Sequence, residues 1–149
     1  MELPQPEVGQ VIQYGYLWQR EDAQGREDSL KSRPCAIVLA IVPSRGEEHG
    51  THVAVAPITH SPPDDPRSAV EIPPDVKKRL GLDDERSWII LTEINRFSWP
   101  GPDLVPLRAR ARLKEFIYGS LPKALINEML RVLAIHIRAG RLKVVKRTE

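Results

Sequence analysis

Hydrophobic and polar positions alternate in blocks along the chain, so that short apolar runs are separated by polar or proline-rich segments. Four of these runs are rich in β-branched and aromatic residues and predict β-strands. They cover residues 9–18, 35–42, 51–59 and 86–97. The segment "AVEIP" predicts a further short strand, and "RARARLKEFIYG" predicts one or two more because basic and apolar residues alternate in it.

Two other segments have helical spacing. Between residues 122 and 139, apolar side chains recur at i, i+3, i+4, i+7 and i+11, which places them on one face of a helix. They are Ile126, Met129, Leu130, Leu133 and Ile137. Pro122 suits the first turn of this helix and Gly140 its end. A shorter helix is predicted in "PPDVKKRLGL", where prolines precede the first turn and a glycine follows the last.

This order of elements predicts a single domain over residues 1–149 that is mainly β with α, an α+β fold. We expect a small antiparallel, barrel-like sheet with a short helix and a C-terminal helix at its edges. Residues 1–8 are a loose lead-in, and residues 141–149 are a basic tail that includes a frayed strand. The polar segment 19–32 predicts a long charged loop, either a solvated hairpin tip or a functional loop.

Composition limits the class of protein. Hydrophobic residues make up 41% of the chain and charged residues 28%, as is usual for a soluble globular protein. No apolar run approaches the ~18 residues of a membrane helix, and the N-terminus lacks the pattern of a secretory signal. The single cysteine, Cys35, lies in an apolar run. A packing role in a reducing cytoplasm is therefore expected, without disulfides or thiol chemistry.

Charge is distributed unevenly. Residues 1–107 carry 11 basic and 17 acidic side chains, whereas residues 108–149 carry 11 basic and 3 acidic ones. A basic C-terminal third suits a polyanion or an acidic protein partner, although a solvated helix face is the commoner reason for such a bias. Arg108, Arg110 and Arg112 occupy alternate positions, so one face of a strand would carry all three.

The sequence predicts no metal and no cofactor. His49 and His52 form an H-x-x-H motif, but their turn offers no third ligand on a fixed scaffold. Glycine-rich phosphate loops, nucleophile elbows and paired cysteine motifs are absent from the sequence. His136 lies one residue before the last member of the apolar stripe on the C-terminal helix. A histidine at the edge of a helix's apolar face is more often structural than catalytic.

Three polar residues at predicted strand ends are the stronger candidates for chemistry. Arg33 precedes the strand at 35–42, and Thr59 and His60 close the strand at 51–59. An arginine can bind a phosphate bidentately, a threonine hydroxyl can donate to the same oxygens, and a histidine can transfer a proton. The alternatives are a surface ion pair for Arg33, a turn former for Thr59 and a loop residue for His60.

Five segments occur in a characteristic order. They are "GQVI" at 9–12, "KSRPCAIVLAI" at 31–41, "VAVAPITHS" at 53–61, "SWIILTEINRF" at 87–97 and "RLKEFIYGSLPKALINEMLRVLAI" at 112–135. In that order they resemble the PemK/MazF toxins of bacterial type II toxin–antitoxin modules, over roughly residues 7–139. The pairing of K-x-R-P with a later P-I-T is the specific part of the resemblance.

The resemblance implies an SH3-like or CcdB-like barrel, homodimeric, that cleaves single-stranded RNA without a metal and is inhibited by a cognate antitoxin. The family's catalytic pair, the arginine of R-P and the threonine of P-x-T, corresponds to Arg33 and Thr59. In such a reaction the ribose 2′-hydroxyl attacks the adjacent phosphate and the 5′-oxygen leaves. Arg33 would face the developing phosphorane charge, and Thr59 would hydrogen-bond a phosphate oxygen.

Other residues are candidates for accessory and RNA-binding roles. Many family members carry an arginine where this chain has Asn95, with Arg96 one residue later, and a one-residue offset in a strand reverses the side chain's face. The accessory candidates are His60, Asn95 and Arg96. The RNA-binding candidates are Trp18 and Trp99, which can stack on bases, and Lys31 beside the R-P motif.

A second class of function is also consistent with the sequence. A non-catalytic toxin on the same fold would act by protein contact, as gyrase-directed toxins do, and a degenerate family member would only bind nucleic acid. Asn95 and the acidic segment 19–32 favour these alternatives. Arg33 and Thr59 favour the nuclease, because a pure protein binder does not need that pair at strand ends.

Overall fold

Eight strands and three helices form the described part of the chain, which in the computed structural model comprises residues 5–23, 32–41, 51–99 and 117–147. The strands are β1 (Gln10–Tyr14), β2 (Arg33–Ile41), β3 (His52–Thr59), β4 (Ala69–Glu71), β5 (Trp88–Ile90), β6 (Glu93–Ser98), β7 (Ile117–Ser120) and β8 (Lys143–Lys146). The helices are α1 (Gln19–Ala23), α2 (Pro74–Leu80) and α3 (Lys123–Arg138), and a 3₁₀ turn covers Pro66–Ser68.

The strands form one sheet whose main path runs β4-β5-β3-β2-β1-β7. β6 also pairs with β3, and β8 pairs with β6. The β6–β8 pair is parallel, and the other described strand pairs are antiparallel. The fold is thus mainly antiparallel β with helices, the α+β class that the sequence predicts. Because this path is open between β4 and β7, the SH3-like barrel stays a prediction.

Both faces of β2 are buried over residues 35–38, which explains the apolar run there, whereas Leu39 and Ile41 farther along the strand are exposed. Ala36 and Val38 enter a core that α3 covers, whereas Cys35 and Ile37 enter a second, aromatic core on the other face. Burial raises the pKa of the Cys35 thiol far above its usual range, so it is uncharged at physiological pH. The predicted packing role of this cysteine is confirmed.

Helix α3 buries a face that is rotated from the predicted stripe. Met129, Leu133 and His136 are buried, whereas Ile137, at the end of the predicted apolar stripe, is 54% exposed. Steps of four and three residues lead from Met129 to Leu133 and then to His136, and this row faces β4 and the Pro66–Ser68 turn. None of the described helices combines the length and the apolar character of a membrane span.

The segment after β1 begins as a helix, where the sequence predicts only a loop. Gln19–Ala23 forms α1, and the Glu21 side chain accepts a hydrogen bond from the backbone N–H of Trp18 at 3.1 Å. A glutamate three residues after the residue that precedes the helix, here Trp18, stabilises the helix start in this way. Residues 24–31, which include the candidate Lys31, lie outside the described residues.

The predicted strand at 86–97 is two strands. The chain leaves the ladder at Leu91 and Thr92, whose backbone groups bond to Ser68 and Lys143 instead. β5 pairs with the end of β3 at Ile58 and Thr59, and β6 pairs with its beginning, residues 52–55. One continuous apolar run therefore crosses from one half of β3 to the other, which its periodicity does not reveal.

Candidate functional site

A pocket of about 150 Å³ lies where β2 begins and β3 ends. Cys35 pairs with Pro57 across these antiparallel strands, and continuing that register by two residues sets Thr59 opposite Arg33. The pocket is lined by Ser32, Arg33, Pro34, Ile58, Thr59, His60, Lys77, Leu82, Asp83 and Ser87. The structure thus brings the predicted catalytic pair and the accessory His60 together.

Arg33 lines the pocket, and its side chain makes no hydrogen bond to the part of the chain that the structure describes. Its guanidinium carbon lies 4.9 Å from the centroid of the Trp18 ring. Its Nε is buried and has no hydrogen-bond partner among the described residues. An unsatisfied buried donor costs about 1–3 kcal/mol, and an anion in the pocket would remove that cost. Arg33 forms no ion pair with the described residues, so its guanidinium is available to an anion.

The proline beside Arg33 fits its place at the start of the strand. β2 begins at Arg33, so Pro34 is its second residue, and it pairs with Gln13 of β1. Proline cannot donate a ladder hydrogen bond and is tolerated where a strand begins. The buried run from Cys35 onward then anchors the backbone that carries Arg33.

Thr59 is half-buried and keeps its hydroxyl proton available. Its Oγ1 accepts a hydrogen bond from the backbone N–H of Ser61 at 3.1 Å. Because a hydroxyl can accept and donate at once, the O–H remains free to donate into the pocket. The turn that follows β3 therefore orients Thr59.

His60 is held at the rim by carboxylates. Its Nε2 lies 2.7 Å from Asp83 Oδ2, and its Nδ1 lies 3.5 Å from Glu85 Oε2. An imidazole fixed by a carboxylate has a defined orientation, which a proton-transferring group requires. Each of the three side chains is exposed, so solvent reaches this edge of the pocket.

Lys77 is a pocket residue that the sequence did not single out. Its side chain is only 4% exposed, and its Nζ lies 2.6 Å from both Asp83 Oδ1 and Ser87 Oγ and also donates to the Glu85 carbonyl. Its spacing in the sequence could have indicated burial, because Lys77 lies three residues before the buried Leu80. At that spacing the two side chains share the inner face of α2. The buried ammonium fixes the loop that carries Asp83.

We predict that Lys77→Met raises the pKa of Asp83 toward its ordinary value. The hydrogen bond from Lys77 is the largest cause of the lowered pKa in the wild type, and a smaller one comes from His60. A carboxyl with a lowered folded-state pKa adds stability above its unfolded pKa and loses it as pH falls through the folded value. The wild type should therefore lose more stability on acidification below about pH 4 than the variant does.

Carboxyl NMR titration of Asp83 and urea unfolding at several pH values measure these two effects. Lys78→Met is the matched control, because Lys78 is the exposed neighbour on the same helix. An unchanged Asp83 titration in Lys77→Met would contradict the structural role of the buried ammonium.

Three residues of this rim could hold a metal ion. The ligand atoms of His60, Asp83 and Glu85 all lie within 4.8 Å of one another. Their arrangement is already explained by ion pairs, since Asp83 bonds to both His60 and Lys77. The ammonium of Lys77 beside Asp83 opposes a second cation there. Of the predicted H-x-x-H pair, His49 lies outside the described residues.

Asn95 has a structural position. It is fully buried; its side chain accepts from the Leu17 N–H at 2.8 Å and donates to the Leu17 carbonyl at 2.8 Å. Arg147 also donates to it, at 3.2 Å. These bonds tie the segment after β1 to β6 and place the side chain outside the pocket lining.

Arg96 lies on the opposite face of β6. It is exposed and lines a separate depression with His52 and Lys146. The structure therefore does not bring the two accessory candidates of this strand, Asn95 and Arg96, to the pocket.

The two candidate stacking residues differ in position. The Trp18 ring faces two guanidinium groups, those of Arg33 at 4.9 Å and Arg20 at 5.4 Å. Trp99 packs instead near Phe97, with ring centroids 6.4 Å apart. Both tryptophans pack against the edge of the aromatic core, and Trp18 also adjoins the pocket through Arg33.

A larger cleft of about 420 Å³ adjoins the pocket and shares Lys77, Leu82 and Asp83 with it. Its walls include the apolar side chains of Ile72 and Pro74. Comparison with protein-family models and with curated protein sequences found no match to this chain. The fold and the pocket define a small α+β protein with an uncommitted arginine at its strand ends, and the likeness to PemK/MazF toxins rests on the sequence motifs.

Proposed function

We propose that this protein is a metal-independent endoribonuclease toxin that cleaves single-stranded RNA, mRNA included, with sequence selectivity. The observation that carries the proposal is that Arg33 and Thr59 line one pocket and that the buried Nε of Arg33 has no hydrogen-bond partner among the described residues. A phosphodiester supplies the missing acceptor, because its oxygens match the donors of an arginine fork.

In the proposed reaction the ribose 2′-oxygen forms a bond to the adjacent phosphorus, and the bond from phosphorus to the 5′-oxygen breaks. Arg33 stabilises the charge that develops on the phosphorane oxygens, and Thr59 donates a hydrogen bond to one of them. The 2′-hydroxyl proton leaves to a base, and the 5′-oxygen gains a proton. His60, oriented by Asp83, is the residue of the pocket suited to one of these transfers. The products are a 2′,3′-cyclic phosphate and a 5′-hydroxyl.

The surroundings of the pocket suit a nucleotide. The adjoining cleft of about 420 Å³ has apolar walls at Ile72 and Pro74 and falls in the size range of small-molecule sites. A base could lie there while its phosphate meets Arg33. Trp18 supports the Arg33 guanidinium from the side and offers ring surface for stacking.

The likeness to PemK/MazF toxins supplies the remaining parts of the proposal. It favours a cytoplasmic homodimer on an SH3-like barrel, inhibited by a cognate antitoxin. The sequence motifs that resemble this family contain both Arg33 and Thr59. The two residues that line the pocket are therefore the same two that the resemblance implies as the catalytic pair.

A second candidate function is a non-catalytic toxin or nucleic-acid-binding protein on this fold. The position of Arg96 favours it, because that arginine lines a different depression from Arg33 and adds no charge to the pocket. Such a protein would bind RNA or a protein target without cutting RNA.

The test is incubation of the purified full-length protein with mixed-sequence RNA in EDTA. We expect discrete fragments that end in a cyclic phosphate. Thr59→Val should slow their formation about tenfold, because it removes one hydrogen bond to a charged oxygen. Thr51→Val is the control, since it makes the same change at the residue just before the other end of β3. Intact RNA after incubation with the wild type would refute the nuclease and favour the binding protein.

A further inference from the structure

A second cleft, of about 420 Å³, lies between the Pro66–Ser68 turn and α3. It shares no lining residue with the pocket at Arg33. Its apolar walls come from Pro66, Ala69, Val132 and Ile135. This volume suits a small organic molecule, since ligand pockets commonly range over about 300–1,000 Å³.

Three basic side chains line the cleft against two acidic ones. Arg67 pairs with Asp65 at 3.2 Å, and Arg131 pairs with Glu128 at 2.5 Å. Arg141 forms no direct ion pair within the described ranges; the pKa of the Asp65 carboxyl is lowered mainly by Arg67 and to a smaller extent by the charge of Arg141. The cleft therefore carries a surplus positive charge on the side where Arg141 follows the C-terminal end of α3.

The buried wall of the cleft contains an unsatisfied acceptor. His136 is 5% exposed, and its Nε2 lies 3.2 Å from the Arg67 carbonyl oxygen. Because a carbonyl only accepts, Nε2 carries the hydrogen, which leaves Nδ1 as the acceptor of the neutral ring. That Nδ1 is buried and has no hydrogen-bond partner in the described part of the chain.

These two features together point to one kind of ligand. A buried acceptor without a donor is costly, and native proteins seldom keep one without a reason. A ligand hydroxyl or amide N–H would satisfy Nδ1, an acidic group would meet Arg141, and an apolar body would cover Val132 and Ile135. Within the described structure, no residue of the chain supplies a donor to Nδ1 together with an acidic group for Arg141.

We propose that this cleft is a second binding site, which takes a small organic anion that also carries a hydrogen-bond donor. Its acidic group, a carboxylate or a phosphate, binds Arg141, and its donor binds His136 Nδ1. The site stands apart from the proposed nuclease function, since neither Arg141 nor His136 lines the pocket at Arg33.

The test uses the full-length protein and follows the imidazole nitrogens of His136 by long-range ¹H–¹⁵N NMR. The probes are 4-hydroxybenzoate for the carboxylate arm, AMP for the phosphate arm, and benzoate as the carboxylate without a hydroxyl donor. We expect 4-hydroxybenzoate or AMP to shift the Nδ1 resonance in a saturable manner, and benzoate to bind more weakly than 4-hydroxybenzoate. Arg33→Ala should leave these shifts unchanged, which separates the cleft from the pocket at Arg33.

Two variants complete the experiment. Arg141→Gln should weaken binding about tenfold, as loss of a charge-assisted hydrogen bond does, whereas Arg138→Gln, at an exposed arginine on the same helix end outside the cleft, should not. His136→Phe removes both ring nitrogens, and with them the Nδ1 acceptor, so it should abolish the preference for 4-hydroxybenzoate over benzoate. The proposal is overturned if neither probe moves Nδ1 at millimolar concentration, or if Arg141→Gln binds as the wild type does.

Discussion

Replacing Arg33 with alanine is expected to slow cleavage of single-stranded RNA in EDTA by at least about a hundredfold, the usual effect of removing a group that stabilises transition-state charge. The free energy of unfolding should change by no more than about 1 kcal/mol. The reason is that, among the described residues, Arg33 stacks on Trp18 and its buried Nε has no hydrogen-bond partner that the substitution would leave unsatisfied. Cyclic-phosphate fragments report the first quantity and urea unfolding the second.

Two further variants sharpen this result. Arg33→Lys keeps the charge but loses the planar fork, so its rate should lie between those of the wild type and the alanine variant. Arg138→Ala removes an exposed arginine outside the pocket and should cut RNA at the wild-type rate. Wild-type activity in Arg33→Ala would refute the proposed role of this arginine even if the protein is a nuclease.

Asn95→Ala is expected to destabilise the protein by about 3–5 kcal/mol, because it leaves two buried backbone groups without their partner at about 1–3 kcal/mol each and removes one hydrogen bond of Arg147. Those groups are the N–H and carbonyl of Leu17, whereas Arg147 keeps its hydrogen bond to the Gly15 carbonyl. A loss of this size is a large part of the total stability of a domain. Urea and thermal unfolding measure it.

The control for this variant is Asn127→Ala, at an exposed asparagine of α3, where a change within about 0.5 kcal/mol is expected. If Asn95 served mainly in catalysis, its alanine variant would unfold like the wild type and lose only activity. The structure leads to the opposite expectation, a variant whose activity falls in proportion to its folded fraction.

The elements that could be predicted from sequence are those whose signals are local. The C-terminal helix follows from apolar spacing with Pro122 before it and Gly140 after it, and the short helix α2 ends at Gly81, whose φ of 74° suits glycine. The split between β5 and β6 could not be predicted, because it depends on how β3 divides its pairing between two neighbours.

The candidate site was predictable only in part. Arg33 and Thr59 are visible in the sequence because each follows or precedes an apolar run and matches a motif. Lys77 is not, since a lysine within a basic stretch of helix is ordinarily solvated, and only the approach of Asp83 and Ser87 makes it a buried anchor. Asn95 likewise became a structural residue through Leu17, 78 positions away.

The sequence by itself determined the α+β class, the buried β2 strand behind Arg33 and Pro34, and the identity of the groups at the strand ends, because short-range patterning and steric preference act within a few residues. Only the tertiary structure decided that Arg33 meets Thr59 and His60, that Arg96 does not, and that His136 faces a second cleft. Those outcomes depend on register and packing between distant segments, where a shift of one residue reverses the face a side chain presents.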